Sequence, residues 1–350
     1  MNESLIYIGT YTHGASRGIY AVRLDHATGA LSEPTVAAQT GNPTFLALSP
    51  DKRFLYAVRD TEDMAAAFSI ESCTGALTPL PALPSPVGIA PCHIAVDRTG
   101  KTVLVSNYHT QIVATLPIRA DGSLGAPRVI RHSGRGSPHP QQSEPHVHSA
   151  NVSPDNRFAL VCDLGLDKIF TYRLDPAAAQ LEASVPPFAV TAPGSGPRHL
   201  IYAGGGKRAY VINEIDSTIV AYDYNPADGT LSPKQTVSTL PAGFSGQTKT
   251  AEIALHPNGK FLYGSNRGHD SIAIFSVAPA TGALAPIDIT PSGGVFPRSF
   301  ALSADGAWLV CANQDSNNLC TFRVDAATGR IEPTGASVAV PAPVCVLFYK

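Results

Sequence analysis

Two series of residues recur along this chain at intervals of roughly fifty. One runs Thr44, Cys92, His148, Arg198, Ala251, Arg298 and Val344; the other runs Tyr11, Asp60, Tyr108, Leu164, Glu214, Arg267 and Gln314. Five of these residues are of types that do chemistry: His148, Arg198, Glu214, Arg267 and Arg298. Guanidinium groups grip phosphate or carboxylate through paired hydrogen bonds. An imidazole changes charge near neutral pH and can activate water. A carboxylate can serve as base or orient the other groups. Three arginines, one imidazole and one acid suit a small anionic guest. The chain holds 25 Lys and Arg against 27 Asp and Glu, net −2, so a cationic surplus here would be a local field. The rival reading is a network of structural ion pairs.

For these residues to meet, the chain must repeat one structural unit. The segment Ala251-Glu-Ile-Ala-Leu-His-Pro-Asn-Gly-Lys-Phe-Leu-Tyr-Gly-Ser-Asn-Arg267 reads as strand, tight turn, strand, and related segments occur at Phe45–Val58 and Phe300–Asn313. A second marker is a turn followed by Leu or Ile, as in Ala27-Thr-Gly-Ala-Leu31, Ala227-Asp-Gly-Thr-Leu231 and Ala280-Thr-Gly-Ala-Leu284. Gly supplies the positive φ of a short hairpin, and Asp or Thr bonds its own backbone. Seven such units with about four strands each, lacking any 3.6-residue apolar stripe, indicate an all-β fold. The expected architecture is a seven-bladed β-propeller of four-stranded antiparallel blades, a single domain over residues 1–350. Leu5–Thr10 aligns with the second strand of a unit and Pro343–Tyr349 with a first strand, so the C-terminal strand should pair with the N-terminal blade and close the ring. In a propeller the first strands line the channel. The start of the first strand and the end of the second then share one face, which brings both series to one mouth.

The interval between Leu124 and Leu181 is the longest and contains Arg128–Pro145, rich in Arg, His, Gly and Pro. It is either a tolerated surface insertion or a basic loop over the mouth.

Other function classes find little support. The charge balance gives no field for nucleic acid, and no apolar run approaches the ~20 residues of a membrane span. Met1-Asn-Glu-Ser-Leu does not open like a signal peptide, and the six scattered cysteines (73, 92, 162, 311, 320 and 345) show no disulfide framework. A cytoplasmic protein, monomer or weak homodimer, is expected. His146 and His148 could hold a metal if Glu214 or His199 joined them beside several cations; the site is read as free of metal and cofactor. There is no Gly-x-Ser-x-Gly elbow, and Gly204-Gly-Gly206 fills a turn between strands.

Pro145-His-Val-His148, Gly196-Pro-Arg-His-Leu200, Asn213-Glu-Ile-Asp-Ser-Thr218, Ser265-Asn-Arg-Gly-His-Asp-Ser-Ile272, Phe296-Pro-Arg-Ser-Phe-Ala-Leu302 and Ala312-Asn-Gln-Asp-Ser316 together resemble the lactonase propeller family of 6-phosphogluconolactonases and carboxymuconate lactonizing enzymes. The resemblance runs nearly end to end. It implies hydrolysis of a sugar-acid lactone, 6-phospho-D-glucono-1,5-lactone above others, within the pentose phosphate pathway. It also implies a site of His148, Glu214, Arg198 and Arg267; the alignment of the repeats and their neighbours adds Arg298, His146, His199 and Gln314 as expected substrate contacts. Relatives often carry a Gly pair where this chain has Asn107-Tyr-His-Thr-Gln111. Arginines should depress the basicity of a carboxylate and keep an imidazole neutral, which favours His148 over Glu214 as base. A lactonizing enzyme acting on a polycarboxylate, and a non-enzymatic ligand or protein platform, are the alternatives.

Overall fold

The computed structural model describes residues 3–60, 64–81, 88 and 90–349. Seven four-stranded antiparallel sheets stand around an axis. Blade 1 combines Glu3–Thr10, Gly18–Asp25 and Thr35–Gln39 with Pro343–Phe348 from the far end of the chain. Ile8 lies opposite Val346 in that closing pair, so the ring closes as the alignment of the two ends requires. Blades 2 to 7 follow in sequence, their first strands being Leu46–Leu48, Pro91–Val96, Val147–Val152, Pro197–Ala203, Lys249–Leu255 and Pro297–Leu302. These first strands lie against one another around the channel.

Position in the disc is legible in the side chains. Second strands such as Phe261–Arg267 and Trp308–Asn313 are buried at every residue. Neighbouring blades cover both of their faces, so they carry unbroken apolar runs. The outermost strand of blade 7, Ile331–Ala339, mostly alternates exposed with half-buried positions, as an edge facing water should.

A single hydrogen bond recurs at each of the seven joints between blades. Tyr7, Tyr56, Tyr210 and Tyr263 donate their hydroxyls to the carbonyls of Gly75, Gly122, Gly282 and Gly329 in the outer hairpin of the next blade. At the other three joints Thr115, Thr171 and Thr321 donate to Ala179, Gly229 and Gly29. Six acceptors are glycines at positive φ; the seventh, Ala179, holds φ at 48°. The residues closing the second strands serve the frame as well. Asn266 donates to the Thr239 carbonyl and Ser271 Oγ, and Asn313 to the Ser292 carbonyl.

The long Leu124–Leu181 interval begins with the outer strand of blade 3, Arg128–Arg131. Residues 132–146 then pass inward to blade 4, with a short 3-10 turn at Pro140–Gln142. Arg128, Arg131 and Arg135 are exposed, and a side chain of this segment that reaches residues of the mouth is an amide, Gln141, bonded to Glu214 and Tyr108.

Candidate active site

The first strands of blades 1 and 3 to 7 each contain a β-bulge near their start. In five of them the surplus residue is Val344, Cys92, His148, Arg198 or Arg298; in blade 6 Ala251 and Glu252 together face Ser265. A bulge breaks the in–out alternation and re-aims a side chain. Beyond each bulge the ladder resumes for one step, as in Glu214 N–H to the Gly196 carbonyl at 2.7 Å and Tyr108 N–H to the Ala90 carbonyl at 3.0 Å. That step sets the residue after the second strand beside the bulge, on the same face.

The result is a cavity of about 290 Å³ at one mouth, whose lining includes His148, Glu214, Lys249, Arg267, Arg298 and Tyr108. Glu214 is its electrostatic hub. Its Oε2 accepts from Arg198 Nε at 3.0 Å and pairs with Arg267 Nη2 at 2.8 Å. Its Oε1 accepts from Gln141 Nε2 at 3.3 Å. Burial pushes this carboxyl up, but Arg267, Arg198, Arg298 and Lys249 outweigh burial and pull it down to about 2. Arg198, below the lining, also donates to the Ala251 carbonyl at 2.6 Å and to His199 Nε2 at 3.1 Å. Arg267 donates to the Thr250 carbonyl at 2.6 Å and lies over the Phe296 ring. Burial lowers its pKa to about 10 although Glu214 opposes the shift. Arg298 lies over Tyr11, 5.5 Å from the ring centroid, and makes no ion pair with the described residues.

His148 is 4 % exposed. Burial, then Arg198, His199, Arg298 and Arg267, holds its pKa well below 6.5, so the ring is neutral at pH 7. Its Nδ1 is sealed from solvent without a hydrogen-bond partner among the described residues, which leaves Nε2 as the nitrogen to meet a guest in the cavity. Burial likewise pushes the Cys92 thiol up to about 12. That thiol stays protonated and is no nucleophile.

Three residues expected as substrate contacts stand outside the cavity wall. His199 follows the bulge by one residue and turns deeper into the channel, where its Nδ1 lies 2.9 Å from Glu252 Oε1. Because Nε2 accepts from Arg198, the proton is on Nδ1 and is donated to Glu252. His146 stacks flat on Tyr108, centroids 4.1 Å apart, and its Nδ1 donates to the Tyr108 carbonyl at 3.0 Å. Gln314 donates to Asp315 next to it. The structure also brings in two residues that sequence reasoning did not select: Lys249 on the wall, and Gln141 through its bond to Glu214. Lys249 precedes the blade 6 bulge by two residues, so register pointed to Ala251 instead. Gln141 belongs to a segment without a counterpart in other blades. Among the described residues no three His, Cys, Asp or Glu side chains converge to hold a metal ion.

The family model described as lactonase, 7-bladed beta-propeller, matches residues 5–348. A 6-phosphogluconolactonase of Bacillus subtilis is 38% identical, covering 99% of each chain. A solved structure of a putative 6-phosphogluconolactonase from Bacteroides fragilis superposes with a TM-score of 0.92 at 34% identity, covering 99% of this chain and 98% of that one. A solved periplasmic gluconolactonase from Pseudomonas aeruginosa superposes with a TM-score of 0.91, also at 34% identity and over 99% of both chains.

Proposed function

Because this chain belongs to the lactonase family of seven-bladed β-propellers, we propose that the lactone it hydrolyses is 6-phospho-D-glucono-1,5-lactone, opened to 6-phosphogluconate as in the pentose phosphate pathway. The observation that carries the reading is the charge of the cavity wall: Lys249, Arg267 and Arg298 stand against Glu214 and Asp60. Glu214 already occupies Arg267, whereas Arg298 has no anionic partner among the described residues, so Arg298 with Lys249 is the natural seat for a phosphate.

The chemistry follows from the protonation states. Glu214 is a poor base: its carboxyl is held near 2 and both oxygens accept hydrogen bonds from Arg198 and Gln141. With the ring neutral and its proton on the enclosed Nδ1, His148 Nε2 offers a lone pair at pH 7. It takes a proton from water as the oxygen attacks C1 of the lactone. The carbonyl oxygen becomes an oxyanion, stabilised by a cation of the wall. On collapse the C1–O5 bond breaks, and the imidazolium returns its proton to O5, which leaves as a hydroxyl. A bound phosphate offsets the repulsion that the arginines exert on the imidazolium, so the substrate itself strengthens the base.

The test compares 6-phosphoglucono-1,5-lactone with glucono-1,5-lactone and a carboxymuconate, each corrected for spontaneous reaction. Arg298→Ala runs alongside. A preference for the phosphorylated lactone of about 100-fold in kcat/KM, most of it lost in Arg298→Ala through KM, is expected from two lost charge-assisted hydrogen bonds. Equal rates on the two lactones would dismiss the phosphate seat. Glucono-1,5-lactone would then be the substrate, as the name of the Pseudomonas relative states for that protein.

A further inference from the structure

The two oxygens of Glu214 are used differently. Oε2 faces Arg198 and Arg267, while Oε1 is met by Gln141 Nε2 at 3.3 Å, and the same nitrogen lies 3.3 Å from Tyr108 Oη. One NH₂ group thus has two acceptors, one for each N–H. The amide orientation is set by charge, since its oxygen would be repelled by an ionised Glu214. Tyr108 in turn meets the His148 ring edge-on, centroids 5.9 Å apart. Gln141 therefore ties together the carboxylate that holds two arginines and the aromatic ring against the imidazole.

The segment carrying Gln141 is built as a rigid strap. His132, 4 % exposed, is fixed between Asp163 at 2.6 Å and Tyr172 at 2.9 Å. Gln142 is wholly buried and donates to the Leu164 carbonyl and Asp167. A Cβ built on Gly165 would come within 2.0 Å of the Glu144 carbonyl oxygen, so strap and blade touch backbone to backbone. The Gln141 N–H is itself accepted by His139 Nδ1 at 3.2 Å.

We propose that Gln141 is a positioning residue of the lactonase site: its amide saturates Glu214 Oε1, confining Glu214 to holding Arg198 and Arg267, and locks Tyr108 against His148. The proposal rests on lactone hydrolysis alone and not on the phosphate, so it is read on whichever of the two lactones turns over.

The test uses the full chain with Gln141→Ala and Gln141→Glu. The glutamate has nearly the same shape as the amide. Ionised, it repels Glu214; protonated, its single O–H can donate to Glu214 Oε1 but leaves the bond to Tyr108 unmade. At pH 8 both variants should lose about 10-fold or more in kcat/KM, mainly in kcat, with Tm close to the parent. Toward pH 5, as the charge on Glu214 favours protonation of the new carboxyl beside it, the Gln141→Glu enzyme should recover part of its loss relative to the parent, whereas Gln141→Ala should stay low. Pure support of the loop would lower both variants alike at every pH, and that result overturns the proposal. So does activity within twofold of the parent for both at pH 8. A parent inactive on both lactones would instead dismiss the substrate reading. Retained 6-phosphogluconate binding by calorimetry, weakened in Gln141→Glu at pH 8 and partly restored at pH 5, would then support the positioning role, and binding insensitive to the variant would reject it.

Discussion

At the residue scale the site separates two groups that chemistry alone leaves interchangeable. His148 and Glu214 both line the cavity, and either could be the base. The surrounding cations act in the same direction on both, lowering each pKa, with opposite consequences: the carboxylate becomes inert while the imidazole becomes available. Replacing His148 by Gln should therefore reduce kcat by about 100- to 10,000-fold, the usual share of a positioned base; lactone hydrolysis within a few-fold of the parent, with Glu214→Gln inactive, would reverse the roles. The acid limb of kcat/KM should lie below pH 6.5, because His148 resists protonation until the solution is more acidic than its unperturbed pKa. A profile centred near 6.5 would contradict the burial argument. The residue types were legible in the sequence because Arg, His and Glu interrupt otherwise bland series. The depth of each was not: Arg198 and His199 are adjacent, and the bulge sends the first to Glu214 and the second to Glu252.

At the element scale the repeat explains why so much could be read. Register fixed which residues share a face, since bulge and ladder step recur blade after blade. It missed Gln141, which no other blade can align, and Lys249, which stands off the aligned position. The joints between blades are equally regular, and there the hydroxyl of a buried tyrosine at four joints and of a threonine at three does what strand pairing cannot, linking one sheet to the next. Tyr210→Phe keeps the ring and removes the donor to the Gly282 carbonyl. It should cost about 1–3 kcal/mol, the range for stranding one buried partner, measured by urea unfolding. A change below a few tenths would show that water replaces the hydroxyl there.

At the scale of the whole molecule the channel concentrates buried imidazoles. His93, His148 and His199 are each held below 6.5, by burial first and then by neighbouring charge, although Glu252 opposes the shift at His199. In the unfolded chain they bind protons from about pH 6.5 downward, while the folded state refuses them, so stability rises with pH up to about 6.5 and falls on the acid side. Each contributes a slope of up to about 1.4 kcal/mol per pH unit until its folded pKa is reached. Glu214 adds to the loss as pH drops from its ordinary 4.5 toward about 2. Unfolding midpoints taken from pH 8 to 4 should stay level above 6.5 and fall below it; a plateau reaching pH 5 would mean the imidazoles gain partners on protonation. The joining of Pro343–Phe348 to Glu3–Thr10 has a separate consequence for how the molecule comes into being. During synthesis Glu3–Thr10 leaves the ribosome with one edge bare and waits through more than three hundred residues for its mate. A message cut short before that mate is translated yields a disc with a permanent gap, and its unsatisfied edge is a template for any passing strand.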